Sequence, residues 1–129
     1  MKQISLETYL MGRHLKWPKE YNSDIELNAK GLLVYVNDLL KQLDLNVELS
    51  SGFRPPSYNK TVKGAARKSR HQTGQAIDIR DPKGEIAKLL LTDGILEEFN
   101  LYMEDPKYTK GWIHLQSIPP GSGKRVFKP

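Results

Sequence analysis

The sequence predicts an α+β fold, a small antiparallel sheet flanked by helices, and three observations carry that expectation. One long stretch repeats apolar residues at three- and four-residue spacing, which is a helical stripe. Several short segments instead alternate apolar and polar residues, which is the period of a half-buried strand. The two kinds are interleaved without the regular βαβ succession of a parallel sheet. The chain has 129 residues, so a single domain over 1–129 is expected, because compact domains cluster at roughly 100–150 residues. Its 38% hydrophobic and 27% charged residues suffice for a core and argue against disorder.

The elements follow in order. A short helical turn begins after Ser5, and a polar connector with Trp17-Pro18 comes next. Ser23 and Glu26 have capping-box spacing, in which each side chain satisfies a backbone N–H at a helix start. Beyond them Ile25, Ala29, Leu32, Leu33, Val36, Leu39, Leu40 and Leu43 line one face of a long helix that faces the core. Asn46 to Ser50 alternates as a strand, and Pro55-Pro56 stop it with Arg54 at its mouth. Ser57 to Lys63 can form a short helix, and Gly64 to Arg70 reads as a basic loop of small residues. In Ala76 to Arg80, Ile77 and Ile79 take the buried face and Asp78 the other. Glu85 to Asn100 reads as an amphipathic helix broken or bent near Asp93-Gly94. Leu101–Glu104 and Trp112–Ser117 form a hairpin across a polar loop. The tail from Pro119 to Pro129, rich in Pro, Gly and Lys, is expected to wrap over the surface.

Composition narrows the chemistry. With no cysteine in the chain, a disulfide scaffold, a thiol nucleophile and Cys-type zinc sites are excluded, so any metal must be held by His, Asp or Glu. The balance of 20 Lys+Arg against 15 Asp+Glu gives a net charge of +5, which permits an anionic partner without choosing one. Met1 to Glu20 lacks the continuous apolar run of a secretory signal. Nor does any stretch approach the roughly 18–20 apolar residues that span a bilayer. A product made in the cytoplasm, monomeric and without a membrane partner, is therefore expected, one that acts outside the membrane only after release.

Two of the three histidines stand beside strand-like segments. His71 precedes Gly74 and Asp78, and a turn at Gly74 brings Asp78 back toward it. In Trp112-Ile113-His114-Leu115-Gln116, Ile113 and Leu115 face the core while Trp112, His114 and Gln116 face away. Two imidazoles and a carboxylate make a three-ligand zinc site with a fourth position open, the arrangement of a catalytic rather than a structural site.

The pattern Ser69-x-His71-x-x-Gly74-x-Ala76-x-Asp78, with Trp-x-His on a late strand and Ser51-Gly52-Phe53-Arg54-Pro55 before it, resembles the zinc D-alanyl-D-alanine carboxypeptidase family, whose fold is shared with the hedgehog signalling domain. The resemblance is strong from Ser50 to Gln116 and extends loosely over compact single-domain members from bacteriophages and bacteria. It implies Zn2+ held by His71, Asp78 and His114, and a peptidoglycan peptide containing D-amino acids as substrate. It makes Arg54 the arginine beside the site, where a guanidinium can bind a substrate carboxylate with two bonds, and Ser69 a substrate or supporting hydrogen-bond donor, with Trp112 next to them. Many members carry a glutamate three residues before the last histidine, and here that position is Gly111. Glu104 on the preceding strand is the expected replacement, able to take a proton from the attacking water and hand it to the leaving amine, with Asp105 as the runner-up.

Other readings compete with this one. The Gly111 departure motivates a structural or wall-binding virion module of the same fold with little or no catalysis. Lys60, Lys63, Arg67, Lys68 and Arg70 could meet nucleic-acid phosphates, yet they flank His71 and suit an anionic wall polymer or a substrate carboxylate equally, so nucleic acid is not favoured. Gly121-Ser-Gly-Lys124 lacks the first glycine and the final Ser/Thr of a phosphate loop and is set aside.

Overall fold

In the computed structural model, residues 3–129 are described. Helices α1 (Leu6–Leu10), α2 (Arg13–Lys16) and α3 (Ser23–Gln42) come first. Strand β1 (Leu49–Ser51), helix α4 (Pro56–Asn59), strand β2 (Ala76–Asp81), helices α5 (Glu85–Leu90) and α6 (Ile95–Glu98), and strands β3 (Tyr102–Glu104), β4 (Gly111–Gln116) and β5 (Val126–Phe127) follow. The fold is α+β, with a five-stranded sheet in the order β1-β2-β4-β3-β5. β1, β2, β4 and β3 pair antiparallel, whereas β5 lies parallel to β3. The sheet is thus mixed, because part of the tail is a strand instead of a surface wrap.

The core lies on one face of this sheet. Ala29, Leu32, Leu33, Val36, Leu39 and Leu40 of α3 are buried against Ile77, Ile79, Met103, Ile113 and Leu115 of the strands. Each such side chain contributes roughly 1.5–3 kcal/mol when fully buried. Strand alternation then forces Asp78, His114 and Gln116 onto the opposite face. Among the described residues no helix is long and apolar enough to cross a membrane.

Several boundaries differ from the sequence expectation for identifiable reasons. α3 is capped by Asn22, whose side chain accepts from the Ile25 amide at 2.9 Å. Ser23 is already the first helical residue, so the expected Ser23–Glu26 capping box does not form, and the Glu26 carboxylate accepts from the Tyr21 hydroxyl at 2.8 Å instead. β1 is shorter than Asn46–Ser50 and includes Ser51, with a register irregularity between Leu49 and Ser51. α4 ends at Asn59 instead of Lys63. The helix over 85–100, expected to be broken or bent near Asp93-Gly94, is indeed broken there into α5 and α6, where Gly94 adopts φ +84°. α5 is anchored by buried Asp81, whose carboxylate accepts from the Ile86 and Ala87 amides at 3.0 and 2.8 Å.

α1 locks the start of the chain to the sheet. Ser5 caps it, and the fully buried Tyr9 donates its hydroxyl to the Ala76 carbonyl at 2.8 Å. The Tyr9 carbonyl accepts from the Phe53 amide at 3.1 Å. A Cβ on Gly52 would lie 2.0 Å from that same carbonyl oxygen, so only glycine fits there. The cap assignment is directly testable: Asn22→Ala should cost about 1 kcal/mol in urea denaturation, and Ser23→Ala only a few tenths. The reverse order would restore the Ser23 cap.

Candidate metal centre

The pleat of β2 and β4 sets Asp78 directly opposite His114. His71 arrives from a 3-10 turn, Arg70–Thr73, which is held from two sides. Its amide donates to the Ser69 hydroxyl at 3.2 Å, and Asn28 of α3 donates to the Thr73 carbonyl at 3.0 Å. Gly74 ends the turn at φ +76°, where an added Cβ would lie 2.7 Å from the Ile25 carbonyl of α3. His71, Asp78 and His114 are only 1%, 3% and 5% exposed, so their polar atoms must find partners or a charge.

Those partners determine which ring nitrogens carry protons. His71 Nδ1 lies 2.8 Å from the Gly52 carbonyl, which can only accept, so Nδ1 is the N–H and Nε2 keeps its lone pair. Gln116 donates its amide N–H to the Ile118 carbonyl at 2.8 Å, which turns its Oε1 toward His114 Nε2 at 2.8 Å. His114 Nε2 is therefore the donor and Nδ1 is bare. Arg54 donates to Asp78 Oδ2 at 3.0 Å and to the Ser51 hydroxyl at 3.0 Å, leaving Asp78 Oδ1 turned to the histidines.

Three acceptors thus face one another. His71 Nε2 is 3.1 Å and His114 Nδ1 3.0 Å from Asp78 Oδ1, and one ligand atom from each residue lies within 4.8 Å of the others. Tetrahedral ligands at 2.0–2.1 Å from zinc stand about 3.3 Å apart, so the set fits a zinc ion. A buried trio of lone pairs is relieved only by a cation or by protons. Burial pushes His71 below its ordinary value despite the pull of Asp78. At His114 burial acts the same way but is outweighed by Asp78 and Glu104, so its value is raised. Burial alone would raise Asp78, yet hydrogen bonding to His114 and His71 holds it well below the usual carboxylate range. The donor set, with each histidine oriented through its other nitrogen, has the architecture of a metal site and its supporting shell.

Around this centre lies a cleft of about 310 Å³ lined in part by Arg54, Lys63, Ser69, Glu104, Trp112 and Pro129. Glu104 sits with its carboxylate 3.3 Å from His114 Nδ1 and its side chain 16% exposed. Burial pushes its carboxyl up, against the pull of His114. Asp105 instead accepts from the Lys107 amide at 3.0 Å and caps a 3-10 turn, Pro106–Tyr108. Of the basic cluster, Lys63 borders the cleft. A larger cavity of about 670 Å³ between the β1 approach and α5 contains no histidine and is remote in chemistry from the centre.

The structure therefore brings His71, Asp78, His114, Glu104, Arg54, Ser69 and Trp112 to one cleft. The sequence reading did not single out the orienting groups Gln116 and the Gly52 carbonyl. Gln116 shares a strand face with His114, so the period of two was a usable signal for it. No sequence signal marks a backbone carbonyl.

An α+β fold with two histidines and an aspartate around an open cleft defines a candidate metal centre with room for a further ligand. The family model for peptidase M15 matches residues 11–116, and the chain belongs to that family of zinc D-alanyl-D-alanine carboxypeptidase-like metallopeptidases. No curated protein and no solved structure matches the chain.

The donor set carries its own test. Calorimetry should show one Zn2+ per chain, and His71→Ala or Asp78→Ala should abolish high-affinity binding. Gln116→Ala should weaken it about 10- to 100-fold by freeing the His114 ring. Stripping the metal should lower the melting temperature of the wild type and leave that of Asp78→Ala unchanged.

Proposed function

We propose that this chain is a zinc-dependent peptidase hydrolysing peptidoglycan stem or cross-bridge peptides that contain D-amino acids. The observation that supports this reading best is the placement of Glu104 beside three bare metal-ligating acceptors in an open cleft. Family membership supports a peptide substrate, and the resemblance to D-alanyl-D-alanine carboxypeptidases supports its wall-peptide class.

When bound, zinc supplies Lewis acidity that polarises a scissile carbonyl and lowers the pKa of water. His71, Asp78 and His114 would hold the ion with two neutral rings and one carboxylate, a donor set that would leave a net positive charge for that chemistry. Glu104 takes a proton from the attacking water and gives it to the leaving amine. Burial raises its carboxyl above the ordinary value, the direction that favours holding the proton on its way to the leaving amine. Arg54 spends two of its five N–H donors on Ser51 and Asp78. Its bond to Oδ2 aims Asp78, and Arg54 lines the cleft with donors left over for a substrate oxygen. Trp112 forms an apolar wall, and Lys63 offers a cation for a peptide carboxylate or an anionic wall polymer.

Purified protein with Zn2+ should cleave muropeptides, and chelation should stop it. Glu104→Gln should lower kcat by about 10²- to 10⁴-fold with one zinc per chain still bound. Zinc binding without cleavage of any wall peptide would overturn the peptidase reading and leave a metal-bearing structural module. Unchanged turnover in Glu104→Gln would remove Glu104 as the base.

A further inference from the structure

The tail reaches the cleft although it lies beyond the stretch matched to the peptidase family. β3 pairs with β4 through Tyr102 and Met103, opposite Gln116 and Leu115. Glu104 falls past the last of these pairs. Its partner in the ladder is Phe127 of β5. The residues on either side of Glu104 are pinned by the same strand: the Met103 amide donates to the Arg125 carbonyl and the Asp105 amide to the Phe127 carbonyl, each at 2.7 Å.

The side chains of the tail divide between the two faces. Val126 packs on the core side. Phe127 is buried on the cleft side, its ring edge-on to His114 with centroids 6.2 Å apart at 84°. Arg125 donates to the Leu101 carbonyl at 3.1 Å and lies over the Tyr102 ring at 4.2 Å, tying the strand to the start of β3. Pro129 continues into the cleft wall beside Glu104, Trp112 and His114.

We propose that β5 is a positioning strand for Glu104, with Phe127 its positioning residue: Phe127 pairs with Glu104 through the backbone and anchors the strand by packing its ring on His114, so the carboxylate stays at the His114 edge of the cleft. The proposal rests on the peptidase reading for its catalytic consequence. The backbone pairing acts on Glu104; of the metal ligands, which come from β2, β4 and the turn before β2, the Phe127 ring packs on His114, and zinc affinity reports any shift there. Misplacing a proton-transfer group by about an ångström can cost roughly 10²-fold in rate, so a loosened β5 is read in kcat.

Full-length Phe127→Ala, Phe127→Tyr and Val126→Ala separate this role from general packing. In Phe127→Ala, kcat on a muropeptide should fall about 10- to 100-fold, with KM within about twofold and one zinc still bound. Phe127→Tyr should restore most of the rate, and Val126→Ala should keep kcat within about twofold while lowering stability. Hydrogen exchange at the Asp105 amide should accelerate about tenfold or more in Phe127→Ala, with the β2–β4 amides still protected. A wild-type kcat in Phe127→Ala, or an equal fall in Val126→Ala, would overturn the proposal. If the wild type cleaves no peptide, the peptidase reading fails by itself and the exchange measurement decides: unchanged Asp105 protection overturns the positioning role, and selective loss supports it. If Phe127→Ala does not fold, Phe127→Leu carries the same comparison.

Discussion

Two imidazole nitrogens, each about 3 Å from one carboxylate oxygen, converge with their lone pairs uncovered and nearly removed from water. Such an arrangement is costly unless a cation occupies the middle. Much of the surrounding structure consists of groups that prevent it from relaxing. The Gly52 carbonyl, the Gln116 amide and the Arg54 guanidinium each take the outer side of one ligand. None of these can be turned easily. Gly52 is wedged on the Tyr9 carbonyl, Gln116 is fixed through the Ile118 carbonyl, and Arg54 is held by Ser51 and by its own amide on the His71 carbonyl.

The apolar core supplies the coarse alignment that these bonds refine. Burying Ile77, Ile79, Ile113 and Leu115 against α3 fixes the phase of β2 and β4, because a one-residue slip would send the whole set to solvent. With the phase fixed, Asp78 and His114 have no other place than the opposite face. α1 adds a second alignment: Tyr9 bonds the start of β2 through its hydroxyl and the chain after β1 through its carbonyl. One helix thereby sets the spacing between the carbonyl that orients His71 and the strand that carries Asp78.

This division explains what the sequence discloses. The α3 stripe and the alternation of β2 and β4 are local periodicities, so they are legible, and with them the meeting of His71, Asp78 and His114 on one face. The start of α3 is less so, because Asn22 and Ser23 are both capable caps and the choice falls to Tyr21, which captures Glu26. β5 leaves no trace in the pattern. Two residues show no period, and their pairing with β3 depends on where the chain returns after Pro119-Pro120. Gln116 lies between these cases: its face is readable, but its role depends on the position of a carbonyl two residues on.

The place of the proposed general base follows from backbone conformation. Gly111, the position at which the family resemblance leads one to expect a glutamate, has φ +88°, a region that strains any side chain. Three residues from His114 along one strand, it also sits on the opposite side of the pleat. With this backbone a carboxylate at 111 would neither be relaxed nor point at the centre. Glu104 reaches His114 from the neighbouring strand instead, and it does so beyond the end of the β3–β4 ladder. A group there is held only if something pairs with the other edge of β3. The tail strand does so, and a carboxylate that faces the centre from β3 and a chain that returns to form β5 are thus two sides of one structural solution.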